Sequence, residues 1–167
     1  AGSMSPPADW NVVDLAEQGG QVTFGVWWKL ANVSESASYS FSWSGGENVY
    51  GTIMRFTGHD PSNPIHVSSN TGGSSSTPTS PAVITTVANT MILRLAGFDD
   101  DDISVGNPGL ANHTAITMDK SNNGNGTSSA GAGFLTQAAA GDNGTSTFSL
   151  TNTEEYRAVT VAIAPAP

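Results

Sequence analysis

Apolar and small polar residues alternate along most of this chain in short runs. The alternation is clear in 22–30, which reads Val-Thr-Phe-Gly-Val-Trp-Trp-Lys-Leu, and in 157–163. A period of two places every second side chain on the same face of a β-strand. Gly, Ser, Asn and Pro separate the runs, which indicates turns between strands. The pattern therefore predicts an all-β chain with almost no helix.

The runs and the turn residues between them set the expected elements. Strands are expected at 10–16, 21–31, 37–44, 49–57, 64–68, 82–87, 90–97, 113–118, 133–138, 145–150 and 156–164. Exposed loops are expected at 68–81, 99–112, 121–132 and 141–145, which are rich in Gly, Ser, Asn or Asp. Many short strands at this spacing favour a two-sheet antiparallel β-sandwich of the jelly-roll type.

The length of 167 residues suits one domain with a substantial core. We expect residues 9–167 to form a single β-sandwich domain and residues 1–8 to be a cloning remnant and disordered leader. No apolar stretch approaches the roughly 18 residues that indicate a membrane span.

Charge and cysteine content exclude several functions. The chain has 14 acidic residues, five Lys plus Arg and a formal net charge of −9. A chain this poor in basic residues lacks the positive surface that nucleic-acid binding requires. The absence of cysteine excludes disulfides and thiolate metal sites. The abundance of Ser, Thr, Asn and Gly is typical of secreted and virion-surface β proteins.

A run of four carboxylates follows the apolar strand expected at 90–97. Asp99, Asp100, Asp101 and Asp102 are consecutive, and Asp142 lies in another expected loop. Neighbouring carboxylates repel one another unless solvent or a cation neutralises them, and Ca²⁺ prefers several oxygen ligands. The run predicts either a structural Ca²⁺ site, with Asp142 as a further ligand, or a solvated acidic loop.

Aromatic residues provide the main argument for binding. Alternation in 22–30 places Trp27 on the polar face of its strand, whereas Trp28 shares a face with Phe24 and Val26. An outward indole among small polar residues offers a flat surface for a sugar ring or an apolar partner side chain. Trp43 and Tyr50 flank a Gly-rich turn and extend this expected ligand-binding surface. The alternative is that a loop or the second sheet covers Trp27.

Four of the five basic residues, Lys29, Arg55, Arg94 and Arg157, lie in expected strands. Ion pairs across the sheet, or packing of the side-chain stems, are the simplest explanation. The alternative is a patch that recognises a carboxylate or a sulfate.

Catalytic motifs are weak. A pair of carboxylates across a cleft could hydrolyse a glycoside, and Glu35, Glu47, Glu154 and Glu155 are the candidates. None of them lies in the middle of an expected strand. No Gly-x-Ser-x-Gly nucleophile elbow occurs. We therefore expect no catalytic residues.

Several segments resemble a loosely characterised family of β-sandwich modules found in phage virion appendages and in bacterial surface or secreted proteins. The resemblance extends over 10–13, 22–30, 38–43, 55–65, 88–93 and 157–163. The segment 56–65 resembles the family's Tyr-x-Gly-Val-Asp-x-x-x-Pro-Ile turn, with Phe56 in place of Tyr and His59 in place of Val. The resemblance implies a module that decorates or adheres at a surface, and it implies no catalytic residues.

These observations lead to a functional expectation. We expect a non-catalytic module on a virion or an extracellular surface that serves attachment, with a glycan as the first candidate ligand. The alternative is a capsid or tail decoration protein that binds other virion proteins and can form a homo-oligomer. A polysaccharide-active enzyme is the third possibility. A bound structural Ca²⁺ is the only cofactor that the sequence suggests.

Overall fold

Every regular element in the described part of the chain is a β-strand, which confirms the all-β prediction. The computed structural model describes residues 2–122 and 127–167. Ala1 of the expected leader and 123–126 of the expected loop at 121–132 lie outside the described residues. The strands are β1 (Met4–Ser5), β2 (Asn11–Gln18), β3 (Val22–Trp28), β4 (Ser42–Trp43), β5 (Ile65–Ser75), β6 (Thr79–Ser80), β7 (Ile84–Thr85), β8 (Thr90–Asp99), β9 (Thr114–Lys120), β10 (Ser128–Gln137), β11 (Gly141–Asp142), β12 (Ser146–Thr147) and β13 (Glu154–Ile163).

The largest sheet has five antiparallel strands in the order β5-β13-β8-β10-β9. The central strand β8 and its neighbour β13 are buried over almost their whole length. Leu95 of β8 is opposite Val159 of β13, at the middle of their ladder. Most of their side chains are apolar on both faces, because other segments cover the sheet from both sides, and Arg94 and Thr160 are buried polar exceptions.

The hairpin of β2 and β3 covers one face of this sheet. Phe24 and Val26 of β3 pack against a cluster that includes Leu93, Leu95 and Val159. Phe24 lies directly over Gly97 of β8, where a Cβ atom would be 2.6 Å from Cδ2 of Phe24. Gly97 therefore provides the space in which the hairpin docks on the sheet.

Loops and short strands cover the opposite face. Phe148 packs on Phe98 of β8 in an edge-to-face arrangement, with the ring centroids 5.6 Å apart. Leu110 and Leu150 belong to the same buried cluster, and Val83 covers Ile92 in a neighbouring one. The covering segments are held together by the pairs β6–β12 and β7–β11.

Four expected strands are largely wrong. Of 37–44 only Ser42–Trp43 is a strand, of 82–87 only Ile84–Thr85 and of 145–150 only Ser146–Thr147, and 49–57 contains none. The apolar residues in these regions serve as cover without joining a ladder. Phe41 packs on Trp27, and Met54 and Phe56 pack against the Leu93 cluster. Alternation here reflects side-chain packing and not backbone pairing.

The loop expected at 68–81 is also wrong in its first half, because β5 continues to Ser75 and pairs with β13. Its small residues make room for large side chains of the neighbouring strand. A Cβ atom on Gly72 would be 2.8 Å from Cδ of Arg157, and one on Gly73 would be 3.4 Å from the ring of Tyr156. Within 1–8, Met4–Ser5 pairs with β4.

We predict that Gly97→Ala loosens the docking of the hairpin. The added methyl group would meet Phe24, so we expect the free energy of unfolding to fall by roughly 1–3 kcal/mol, as for other overpacked cores. Urea denaturation measures this change.

Gly51→Ala is the matched control, because nothing lies within 4 Å of a Cβ atom at that position. If Gly97→Ala is as stable as Gly51→Ala, the packing of Phe24 on the sheet does not require the space above Gly97.

Candidate functional site

A cleft of about 390 Å³ opens at the end of the β2–β3 hairpin. Asn11 at the start of β2 is opposite Trp28 at the end of β3, and the chain diverges beyond this pair. We call this the Trp28 cleft; its lining residues are Asp9, Asn11, Trp28, Lys29, Leu30 and Asn32. Trp28 is half-buried, so part of its ring remains accessible.

A network of polar contacts fixes one wall of the cleft. Lys29 Nζ lies 2.8 Å from Glu35 Oε2 and 5.4 Å from the centroid of the Tyr39 ring. The backbone N–H of Asn32 donates to Glu35 Oε1 at 2.6 Å, and the Tyr39 hydroxyl also donates to Glu35. These contacts tie residues 29–35 into one unit.

The same contacts determine the charge of Glu35. Its pKa is lowered to about 2, first by the hydrogen bond from Lys29 and then by those from Tyr39 and the Asn32 backbone. The bond to Glu35 also raises the pKa of Lys29. The wall therefore keeps a stable ion pair at neutral pH.

The cleft combines an aromatic face with hydrogen-bonding groups. Trp28 provides an apolar ring, and Asp9, Asn11 and Asn32 provide carboxylate and amide groups around it. An indole can stack on the C–H face of a sugar ring. Carboxylates accept hydrogen bonds from hydroxyl groups, and side-chain amides both donate and accept them.

The three aromatic residues expected to bind ligand make separate contacts. Trp27 lies on the outer face of the hairpin, where its ring covers Gly25 and packs on Phe41 at a centroid distance of 5.6 Å. Trp43 is in β4, opposite Met4, and is 45% exposed. Tyr50 Oη lies 3.0 Å from Thr117 Oγ1 of edge strand β9.

Sequence reasoning chose Trp27 for ligand binding and assigned its neighbour Trp28 to the inner face of the strand. Alternation correctly placed Phe24 and Val26 on the inner face and put Trp28 with them. Trp28 is, however, the last residue of β3, and there the inner face opens into the cleft. The polar residues Asp9, Asn11 and Asn32 near both strand ends are the sequence feature that marks this cleft.

The side chains of the four consecutive aspartates have different partners. Asp101 pairs with Lys120, and Asp100 Oδ1 accepts a hydrogen bond from Thr127 Oγ1 at 2.7 Å. Asp102 Oδ1 accepts a hydrogen bond from Thr151 Oγ1 at 3.2 Å. Asp99 accepts a hydrogen bond from Gln21 Nε2 at 3.4 Å.

Asp142 is not near this run. It follows Gly141, whose carbonyl accepts a hydrogen bond from Gln137, and Gln137 is opposite Thr90 at the start of β8. Asp99 is at the other end of the same strand, roughly 30 Å away at about 3.3 Å per residue. Within 2–122 and 127–167, no group of three or more His, Asp or Glu side chains is arranged to hold a metal ion.

Glu154 is the carboxyl group most strongly perturbed by this acidic region. It begins β13, is 9% exposed and shares a hydrogen bond with Asp102. Its pKa is raised to about 7, first by burial, then by the bond to Asp102 and by the charges of Asp102, Asp100 and Asp99. Glu154 therefore carries its proton to near-neutral pH.

Comparison with protein-family models, with curated proteins and with solved structures finds no match to this chain. In the described ranges, no helix is long and apolar enough to span a membrane.

We predict that Glu154 makes folding less favourable as the pH rises. Its pKa is about 7 in the folded chain against 4.5 for an ordinary Glu. Its contribution to stability is therefore complete below pH 4.5 and is lost as the pH rises to about 7. Because the pKa rises by about 2.5 units and one unit corresponds to about 1.4 kcal/mol, the loss is of order 3 kcal/mol.

Glu154→Gln should remove this dependence, so that the variant exceeds the wild type in stability at pH 8 and not at pH 4.5. Urea denaturation across this range measures it. Glu155→Gln makes the same charge change one position along β13, at a less buried side chain, and should leave most of the pH dependence of the free energy of unfolding in place. If the free energy of unfolding depends on pH equally in the wild type, Glu154→Gln and Glu155→Gln, the role of Glu154 is contradicted.

Proposed function

We propose that this chain is a non-catalytic attachment module of a virion or cell surface, and that it binds a glycan in the Trp28 cleft. The observation that carries the proposal is the half-buried Trp28 ring surrounded by Asp9, Asn11 and Asn32. Stacking on the ring would supply affinity, and the polar groups would orient the hydroxyls of the sugar.

We also propose how the sheets are arranged in layers. The five-stranded sheet and the layer containing the β2–β3 hairpin would be the two sides of a β-sandwich related to the jelly roll. The packing of Phe24 and Val26 against the sheet supports this description. In such folds, binding sites commonly lie on the loops and strand ends that a rigid scaffold positions, as does the Trp28 cleft.

Composition supports the proposed location. The net charge of −9 and the small number of basic residues disfavour a nucleic-acid partner. The surface rich in hydroxyl and amide side chains, together with the resemblance of 56–65 to a turn of phage and bacterial surface modules, favours an extracellular setting.

A decoration protein that binds other virion proteins is the second candidate function. The outer face of the hairpin favours it, because Val12 is 61% exposed and Leu15 is 44% exposed. These side chains lie on the strand that pairs with β3 beside Trp27, and Val12 is directly opposite Trp27. An apolar outer face of this kind suits a protein partner better than a sugar.

We predict that the wild-type chain binds specific glycans on an array and that Trp28→Ala weakens this binding at least tenfold. Tenfold corresponds to about 1.4 kcal/mol, which is within the range expected for a lost aromatic stacking contact. Asn11→Ala, which removes only a side-chain amide, should weaken binding less. Arrays run with Ca²⁺ and with a chelator test whether the ion takes part.

Trp43→Ala is the matched control, since Trp43 is equally aromatic, is 45% exposed and lies outside the cleft lining. It should retain full binding. Retained binding by Trp28→Ala would overturn the assignment of the cleft. A negative array together with self-association in light scattering would favour the decoration protein.

A further inference from the structure

Arg94 is a buried cation at the centre of the fold. It lies in the middle of β8, on the face covered by loops, and is only 1% exposed. Its guanidinium donates hydrogen bonds to His113 Nε2 (3.0 Å), Pro81 O (3.0 Å), Ser80 O (3.3 Å), Thr160 Oγ1 (3.3 Å), Gly144 O (2.8 Å) and Asn143 Oδ1 (3.5 Å). All of these acceptors are uncharged, and no described carboxylate forms an ion pair with Arg94.

His113 is neutral and adds no second positive charge beside Arg94. Its Nδ1 lies 2.7 Å from the carbonyl oxygen of Ala111, and its Nε2 accepts the Nε–H of Arg94. Accepting at Nε2 requires the neutral ring, protonated on Nδ1. Burial lowers the pKa of His113, the hydrogen bond to the Ala111 carbonyl raises it and the charge of Arg94 lowers it, and the resulting lowered pKa agrees with the neutral ring that the hydrogen bonds require.

A buried charge without a counter-ion is costly, and neutral hydrogen bonds offset only part of the cost. Burial correspondingly lowers the pKa of Arg94, although a guanidinium remains charged in proteins. An anion placed beside the guanidinium would remove much of the remaining cost. The fold thus holds a preformed positive site.

A pocket of about 370 Å³ opens beside Arg94. We call it the Arg94 pocket. Its lining residues include Asn112, Thr145, Ser146 and Thr147. Among the described residues, no Asp or Glu lines the pocket, although the chain contains 14 acidic residues. The nearest acidic residue in sequence, Asp142, accepts a hydrogen bond from the Gly144 N–H at 2.8 Å.

Asn143 adds an unused donor to the same wall. Its Oδ1 accepts the Val83 N–H at 3.0 Å, which fixes the orientation of the amide. Its Nδ2 is buried and has no hydrogen-bond partner. The contact from Arg94 Nη2 to Asn143 Oδ1 is long, at 3.5 Å. A ligand oxygen could accept from Arg94 Nη2 and from Asn143 Nδ2 after a small adjustment of the wall.

We propose that the Arg94 pocket binds a small organic carboxylate, such as a uronic acid. Because Nε and Nη1 of Arg94 already donate to the protein, a carboxylate oxygen would accept from Nη2, whose contact to Asn143 is long, and from Asn143 Nδ2, and its charge would lie beside the guanidinium. The hydroxyl groups of residues 145–147 would contact the rest of a hydroxylated ligand. The pocket is on the face of the central sheet opposite the β2–β3 hairpin, so this proposal does not depend on glycan binding in the Trp28 cleft.

Titration of the ¹⁵N-labelled chain with sodium glucuronate, and separately with glucose, tests the proposal. We expect saturable shifts of the Arg94 Nε–H and Asn143 Nδ2–H₂ signals with glucuronate and none with glucose. Trp28→Ala should titrate in the same way as the wild type, which separates this site from the cleft. Equal shifts with glucose, or no saturable shift with glucuronate, would overturn the proposal.

Asn112→Asp provides the matching variant. The change is nearly isosteric, places a carboxylate at the pocket and should weaken glucuronate binding at least tenfold. Asn89→Asp is its control, because Asn89 is also exposed and also has a positive φ, 54° against 61° for Asn112. The control should bind as the wild type does, whereas unchanged binding by Asn112→Asp would place the ligand elsewhere.

Discussion

The hydrogen bonds of one buried guanidinium join the central sheet to the segments that cover it. Arg94 extends from β8 and bonds to residues in 80–81, at 113 and in 143–144, which come from three separate parts of the covering layer. It also bonds to Thr160 on the adjacent strand β13. A neutral side chain could fill the same volume, but it could not supply donors to all of these acceptors. Without Arg94 the carbonyl oxygen of buried Ser80 and the ring nitrogen of His113 would each lose this donor, which is costly.

The opposite face of the sheet depends mainly on shape, and one ion pair, between Arg157 of β13 and Asp14 of β2 at 3.5 Å, also joins the hairpin to the sheet. Gly97 leaves a space on β8 that Phe24 fills, and the β2–β3 hairpin packs there through Phe24 and Val26. The position of the hairpin in turn fixes where β3 ends and therefore where Trp28 is placed. The proposed glycan site is thus positioned by packing, whereas the proposed carboxylate site is positioned by hydrogen bonds.

Sequence reasoning identified the strongest elements. The expected strands at 90–97 and 156–164 correspond to β8 and β13, because strands buried on both faces are almost continuously apolar. Sequence reasoning predicted a strand at 49–57, where apolar residues cover the core without pairing. It predicted a loop at 68–75, where a polar, Gly-rich segment forms a strand beside β13. Period-two patterns report on side chains, and they cannot distinguish a ladder from a covering loop.

The candidate sites were harder to predict for a related reason. The sequence placed Arg94 in a strand but could not identify its partners, which are up to 66 positions away along the chain and are mostly backbone carbonyls and hydroxyls. Neutral acceptors of this kind leave no signature in sequence. The choice of Trp27 over Trp28 depended on where one strand ends, and strand ends are the least certain part of any such pattern.

The central claim is that Arg94 is buried and that its hydrogen bonds join sheet and cover. Solvent exchange of the Arg94 Nε–H proton, followed by NMR in the folded chain, tests it most directly, with exposed Arg55 as the reference in the same spectrum. The account predicts that the Arg94 proton exchanges far more slowly than that of Arg55 and is released only when the covering layer opens. Exchange at the rate of Arg55 would contradict the account.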